Sequence, residues 1–284
     1  MSLLLALALM IPASPSGVVV EPVANMYSAS NETADVVSQA IFGTSVVLVE
    51  EKSGWVRVRT PDDYTGWMRL AALRQDGSTY AAPGKVVQVT SLFANVYAEP
   101  TVTKHAPLLT LPFEARLEVV AEQENVVGPQ SSRDWIQVRL PDERTAWIER
   151  GNVESDPQPL SVQGTIEFAK RFIGLTYLWG GTTTFGFDCS GFTQMLVRQR
   201  GIVMPRDADL QAAWKGVSPV NRKKLRAGDL LFFGASPQRI THTGMYIGHG
   251  KFVHDTTHEH PGVQISRLAD PHWTKLLVAC RRLK

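Results

Sequence analysis

The stretch Trp179-Gly-Gly-Thr-Thr-Thr-Phe-Gly-Phe-Asp-Cys-Ser-Gly-Phe192 places Cys189, one of two cysteines in the chain, where a glycine-rich turn gives way to a helix. Gly180, Gly181 and Gly186 mark tight backbone, and Phe192, Met195 and Leu196 then recur at helical spacing. Asp188, directly before the cysteine, reads as the N-cap. A thiol in the first turn of a helix feels the positive end of the macrodipole, which favours the thiolate that attacks carbonyls. Taken alone, a cysteine under such a turn is more often a small buried residue. Two histidine segments downstream decide against that reading.

His242 lies in Thr241-His-Thr-Gly-Met-Tyr-Ile-Gly248, and His254 in Lys251-Phe-Val-His-Asp255. Both segments are short, rich in β-formers and bounded by glycine. They predict neighbouring strands of a hairpin that turns at Gly248-His-Gly250. Such strands can set two imidazoles side by side. One would deprotonate Cys189 while the other holds it in the right tautomer, the logic of a nucleophile–base–orienter triad. Either histidine alone reads as a surface or half-buried residue.

The order of these motifs carries a resemblance. Tyr177-Leu-Trp179-Gly-Gly, Asp188-Cys-Ser-Gly, Arg226-Ala-Gly-Asp-Leu230, His242-Thr-Gly-Met-Tyr-Ile-Gly248 and Phe252-Val-His254 follow one another as in the NlpC-type cell-wall cysteine peptidases. The chain resembles that family from Thr165 to its C-terminus. Members are papain-like enzymes that cut peptidoglycan stem peptides. The resemblance implies Cys189 as nucleophile, His242 as general base and His254 as the orienting third member, a position that varies in the family. It also implies a substrate site drawing on Tyr177, Trp179, Asp188, Ser190, Arg206 and Asp207.

Composition agrees with a wall enzyme. At 284 residues the chain is long enough for two or three domains with buried cores. Its formal net charge of +2 leaves no footprint for nucleic acid or for a membrane surface. Two cysteines set no disulfide framework. Cys280, in Leu276-Leu-Val-Ala-Cys280, reads as a core strand residue, and a bond from it to Cys189 would block the chemistry. Residues 1–17 resemble a secretory leader: an apolar run from Leu3 to Ile11 exits through Pro12-Ala-Ser-Pro-Ser-Gly17. That run is too short for stable membrane insertion. Yet no Lys or Arg precedes Lys52, so the charged start of a leader is missing. Export to a periplasmic or extracellular location is the expectation, with a disordered start and a cytoplasmic location as the alternative.

An internal repeat fills the next stretch. Val23-Ala-Asn-Met-Tyr27 recurs as Phe93-Ala-Asn-Val-Tyr97, Trp55-Val-Arg-Val-Arg59 as Trp135-Ile-Gln-Val-Arg139, and Tyr64-Thr-Gly-Trp-Met68 as Arg144-Thr-Ala-Trp-Ile148. The second copy carries a longer interior, placed in the polar loop Gln123–Arg133. Short alternating strands between Asn, Pro, Gly and Asp predict two small all-β units, residues 18–80 and 85–154. Their Trp-x-x-Val and Gly-Trp pattern resembles the small barrels of bacterial SH3-like domains. Residues 155–164, with Ser155-Asp-Pro-Gln-Pro-Leu160, read as a linker. Residues 165–284 then read as an α+β domain. Helices are expected near Thr165–Ile173, from Cys189 and at Asp207–Trp214, followed by strands at Asp229–Phe233, His242–Ile247, Lys251–His254, Gly262–Ser266 and Leu276–Arg281. A helix packed on an antiparallel sheet is the papain-like arrangement.

The chemistry expected is hydrolytic and needs no metal or other cofactor. His249, His254, His258 and His260 match no standard ligand spacing. The Cys189 backbone N–H and the Tyr177 hydroxyl are the candidate oxyanion donors. Met204-Pro-Arg-Asp-Ala-Asp-Leu210 bears on specificity. In the subgroup that joins SH3-like domains to this core, a Pro-Arg-Asp aspartate resembling Asp207 binds the free ammonium of an N-terminal L-alanine, together with a tyrosine resembling Tyr177. Ala208 departs from the serine frequent after that aspartate. An Arg206–Asp207 helix cap or surface pair is the plainer reading. In the same subgroup the first SH3-like domain lends the cleft an aromatic residue, and Tyr64, whose counterpart is Arg144, is the candidate. The resemblance thus implies a γ-D-glutamyl-L-diamino-acid endopeptidase that cuts L-Ala-γ-D-Glu from the meso-diaminopimelate or L-Lys that follows in the stem peptide. The alternative is an N-acetylmuramoyl-L-alanine amidase, or another hydrolase of intact peptidoglycan, on the same core.

Overall fold

The computed structural model describes residues 16–75, 80–81, 86–121 and 134–284. The expected leader lies outside these residues except for Ser16 and Gly17, which pair with Val47 and Val46 in the first sheet. The polar loop 123–133 also lies outside them.

The repeat is a repeat of topology. Strands β1 (Ser16–Val19), β2 (Val23–Tyr27), β3 (Val36–Ile41), β4 (Ser45–Lys52), β5 (Trp55–Arg59), β6 (Thr65–Arg69) and β7 (Leu73–Arg74) form one sheet, ordered β3-β2-β6-β5-β4-β1-β7. Strands β8 (Val86–Val89), β9 (Phe93–Tyr97), β10 (Leu109–Pro112), β11 (Arg116–Ala121), β12 (Trp135–Arg139), β13 (Thr145–Glu149) and β14 (Val153–Glu154) follow the same order, β10-β9-β13-β12-β11-β8-β14. Alternation places Val56, Val58 and Met68 inside the first unit, and Ile136, Val138 and Ile148 inside the second. The expected barrels are open: among the described residues no pairing joins β3 to β7, or β10 to β14. The free edge of β3 is covered instead by the C-terminal domain, where Thr182 donates its N–H to Gln39 Oε1 at 3.0 Å.

The C-terminal domain places helices first. Helix α1 (Val162–Ala169) is capped by Ser161, and a small ribbon, β15 (Thr182–Thr183) with β16 (Gly186–Phe187), leads into α2 (Cys189–Arg198). After α3 (Ala208–Ala213) come β17 (Val217–Pro219), β18 (Leu230–Ser236), β19 (Arg239–Gly248), β20 (Lys251–Thr256), β21 (Gly262–Arg267), α4 (Pro271–Leu276) and β22 (Leu277–Leu283). These strands make one antiparallel sheet, β17-β22-β18-β19-β20-β21. Phe192, Met195 and Leu196 of α2 bury against Leu230, Phe232, Met245 and Val253, which is the expected helix-on-sheet core. Helix α4 and strand β17 are additions to the expectation. Pro271 and the short length of α4 leave little periodic signal. Cys280 is buried on β22 opposite Leu231, and both cysteines are free thiols. Among the described residues no helix is long and apolar enough to cross a membrane.

Each repeat also plugs into the unit that follows it. Phe42, in the turn between β3 and β4, is buried in the core of the second repeat. The equivalent Phe113, between β10 and β11, is buried in the core of the C-terminal domain, with ring centroids 5.2 Å from Phe168 and 5.9 Å from Phe172. Beside it, Glu114 accepts both Nε and a terminal nitrogen of Arg198 at the end of α2, at 2.8 and 2.6 Å. Phe113→Ala should therefore lower stability by about 3–5 kcal/mol, the usual loss for a buried phenylalanine. Urea unfolding followed by Trp fluorescence would measure this, and the C-terminal domain should report the loss although the mutation lies in the repeat.

Candidate active site

The site is built around the first turn of α2. Asp188 caps it: Oδ1 accepts the Gly191 N–H at 2.7 Å, and Oδ2 accepts the Gly180 N–H at 3.1 Å. The glycines make this approach possible. A Cβ on Gly191 would lie 2.2 Å from the Gly181 carbonyl. Gly180, at φ +74°, passes so close to the first repeat that a Cβ would lie 2.5 Å from the Val36 carbonyl.

Cys189 is buried at 7% exposure, with its sulfur directed at the Thr241 carbonyl at 4.0 Å. Burial pushes the thiol up to about 12, and the Asp188 charge adds to this. The Thr243 N–H, the Arg206 guanidinium and the Ser190 N–H pull the other way. Desolvation therefore opposes the thiolate that the helix end favours.

The imidazoles form a relay on three adjacent strands. His242 Nε2 meets His254 Nδ1 at 2.8 Å, and His254 Nε2 meets Ser266 Oγ at 3.0 Å. With Ser266 accepting from His254 Nε2, His254 Nδ1 accepts from His242 Nε2, and His242 Nδ1 is left as the free basic nitrogen. His242 stacks on Trp273 at 5.1 Å, and His254 meets the same ring edge-on at 4.8 Å. Burial pushes His242 down to about 3, helped by the charge of His272, and His254 is likewise held well below its ordinary value by burial. Burial thus disfavours the charged form of both thiol and imidazole. Ser266 and Trp273 escaped the sequence reading. Ser266 lay on an expected strand, but only the register of β20 with β21 shows what it faces.

A cleft of about 490 Å³ opens beside the sulfur, lined by Tyr64, Tyr177, Trp179, Asp188, Cys189, Ser190 and Asp207 among others. Asp35 of the first repeat and Asp209 also reach it, so its lining is acidic. There the Tyr64 hydroxyl, on the loop between β5 and β6, donates to Asp207 Oδ2 at 3.1 Å across the domain boundary. Asp207 stands at the N-cap of α3 yet makes no side-chain cap bond, so the plain capping alternative fails. Burial raises the Asp207 carboxyl, opposed by Arg206 and by the Tyr64 hydrogen bond. Burial likewise pushes the Tyr177 hydroxyl upward, with Cys189 and Asp188 adding to it. Trp179 is 69% exposed at the rim.

Arg206 stands apart from this group. It is 1% exposed and does not line the cleft, because its guanidinium is bound to protein groups on every side. Its expected place among the substrate ligands is corrected on that ground. Among the described residues no three His, Cys, Asp or Glu side chains converge to hold a metal ion.

Asp255, next to His254, is wholly buried with neither carboxyl oxygen hydrogen-bonded. Burial, then the charge of Asp188, pushes it up to about 8. The unfolded chain loses this proton near the ordinary value of 3.8. Between those two values the folded state holds the extra proton, so Asp255 makes stability fall as pH rises through that window. Asp255→Asn should stabilise the protein by on the order of a few kcal/mol at pH 8 and by almost nothing at pH 4. Urea midpoints at the two pH values would check the sign.

Comparison with known proteins agrees with this architecture. Residues 174–282 match the NlpC/P60 family, and residues 26–73 match the bacterial dipeptidyl-peptidase Sh3 domain. A Bacillus cereus protein named gamma-D-glutamyl-L-lysine dipeptidyl-peptidase is 31% identical over 264 residues, covering 86% of this chain and 74% of its own. A Bacillus subtilis protein of the same name is 31% identical over 261 residues, covering 86% and 80%. A crystal structure of an NlpC/P60 family protein from Bacillus cereus superposes with a TM-score of 0.80 at 25% identity, covering 94% of this chain and 99% of that one. With a cysteine at the head of a helix, two histidines on the facing strands and relatives matched along most of their length, the chain belongs to the NlpC/P60 family of cysteine peptidases.

Proposed function

We propose that this chain is a cysteine endopeptidase that hydrolyses the γ-D-glutamyl-L-diamino-acid bond of peptidoglycan stem peptides and selects stems with a free N-terminal L-alanine. The observation that carries the reading is the Tyr64–Asp207 contact closing the end of a cleft that starts at Cys189. A half-buried carboxylate with a phenol beside it suits a primary ammonium, which it binds through charge-assisted hydrogen bonds. A stem still amide-linked to muramic acid offers no charge there and would leave Asp207 unpaired. The relatives named above are described as acting on γ-D-glutamyl-L-lysine, which supports the bond assigned here.

The roles follow from a neutral resting pair. As the Cys189 sulfur attacks the γ-glutamyl carbonyl, its proton passes to His242 Nδ1, so charge appears only when the tetrahedral intermediate forms. The Cys189 N–H and the Tyr177 hydroxyl meet the oxyanion. His254, held by Ser266, keeps His242 in the tautomer that presents Nδ1. His242 then protonates the departing amine of the diamino acid. Water, deprotonated by the same imidazole, cleaves the thioester and restores the thiol. Trp179 and Ser190 line the path of the peptide, and Asp188 acts from behind as the cap. A peptide derived from the wall suits an enzyme working in the periplasm or outside the cell, with a cytoplasmic location as the alternative.

The decisive test is mass spectrometry of the protein with free L-Ala-γ-D-Glu-meso-diaminopimelate, the L-Lys analogue, the N-acetylated peptide and intact sacculi. Release of L-Ala-D-Glu from the free peptides alone is expected, and Cys189→Ala should abolish it. Equal cleavage of the N-acetylated peptide, or release from sacculi, would favour the amidase or an open-cleft hydrolase instead. Asp207→Ala should lower kcat/KM for the free peptide by about 10²-fold, the loss of one charged hydrogen-bonded contact of a few kcal/mol. The N-acetylated peptide should stay uncleaved by the variant.

A further inference from the structure

Arg206 is the largest of the fully buried side chains, and the chemistry above does not use it. A guanidinium has five N–H donors. Here each has a protein acceptor. Nε reaches Ser38 Oγ of the first repeat at 3.3 Å, while one terminal nitrogen reaches Asp188 Oδ1 at 3.0 Å and Ser190 Oγ at 2.7 Å. The other reaches Asp188 Oδ2 at 2.6 Å and the Gly181 carbonyl at 3.5 Å. No donor remains for a ligand. The acceptors are the cap of α2, the residue after Cys189, the glycine turn before it, and edge strand β3 of the first repeat.

The geometry points to Arg206 as a positioning residue that makes the alignment of Cys189 depend on docking of the first repeat. Three further contacts from that repeat surround the same helix. Gln39 accepts from the Thr182 N–H, Asp62 accepts from Gln194 Nε2 of α2 at 2.9 Å, and Tyr64 donates to Asp207, the residue after Arg206. A buried ion pair is a poor source of net stability compared with apolar packing, so its value here lies in fixing geometry. It has an electrostatic task as well. The Asp188 charge opposes ionisation of Cys189 and the Arg206 charge favours it, so the pair hides from the sulfur a carboxylate that the helix cap requires.

This inference rests on Cys189 being the nucleophile, and two substitutions separate charge from geometry. Arg206→Lys keeps the charge but loses the fork. It should lower kcat on the free peptide about 10²-fold, as misplacement of a reacting group by about 1 Å does, with KM changed less than about threefold. Alkylation of Cys189 by iodoacetamide should keep its pH dependence. Arg206→Gln loses both, so its alkylation curve should also move to higher pH. Ser38→Ala with Gln39→Ala, placed wholly in the first repeat, should lower kcat at unchanged KM and guard against a variant that fails to fold. Wild-type kcat in both Arg206→Lys and the repeat variant, a rise in KM alone, or an Arg206→Gln alkylation curve identical to wild type would overturn the proposal. Activity surviving in Cys189→Ala would sink the nucleophile assignment instead.

Discussion

A carboxylate taken out of water sets the terms for everything around Cys189. Asp188 accepts from the Gly191 and Gly180 N–H groups, and those two bonds decide where α2 begins and how the turn before it runs. Alone, a charge at that depth would cost several kcal/mol and would stand beside the sulfur. The Arg206 guanidinium offsets both penalties through a two-point contact that an ammonium could not reproduce. The requirement then spreads outward. Arg206 needs the Gly181 carbonyl facing it, Ser190 turned inward and Ser38 delivered by another domain.

The same burial works against a charged pair of thiol and imidazole at rest. A nucleophile of this kind is quiet until a substrate carbonyl shares the developing charge. The aromatic wall of Trp273, Phe233 and Phe252 around the imidazoles maintains that state. The proposed selectivity for a free amine then draws less on a reactive sulfur than on the Tyr64–Asp207 contact at the cleft.

What was legible in the sequence was local. The cap, the glycine turn, the α2 core positions and the β19–β20 hairpin each follow from residues within a few positions of one another. They gave the α+β domain and the pairing of His242 with His254. The repeat gave two units of one topology, although their sheets stay open because β3 spends its edge on another domain. Depth was not legible. Motif spacing cannot show that Cys189 is desolvated, or that Arg206 faces inward rather than toward a ligand. Ser266 and Trp273 needed a sheet register and a helix without periodic signal. Tyr64 and Arg144 occupy equivalent loops, but Tyr64 meets Asp207 while Arg144 pairs locally with Asp142, and only docking separates the two.

Docking itself follows one rule used twice. The turn that carries Phe42 in the first repeat plugs into the second, and its copy carrying Phe113 plugs into the C-terminal domain. Repeating the same joint fixes the direction of the chain of domains but does not by itself bring the first repeat to the cleft. That return is made by a second set of contacts, from Ser38, Gln39, Asp62 and Tyr64, all polar. An apolar plug tolerates small shifts of its ring, whereas a hydrogen bond weakens steeply once its geometry is lost. The two apolar joints therefore supply adhesion, and the polar return sets position. The elements that decide where the sulfur, the carboxylate and the phenol stand are held by the contacts least able to drift.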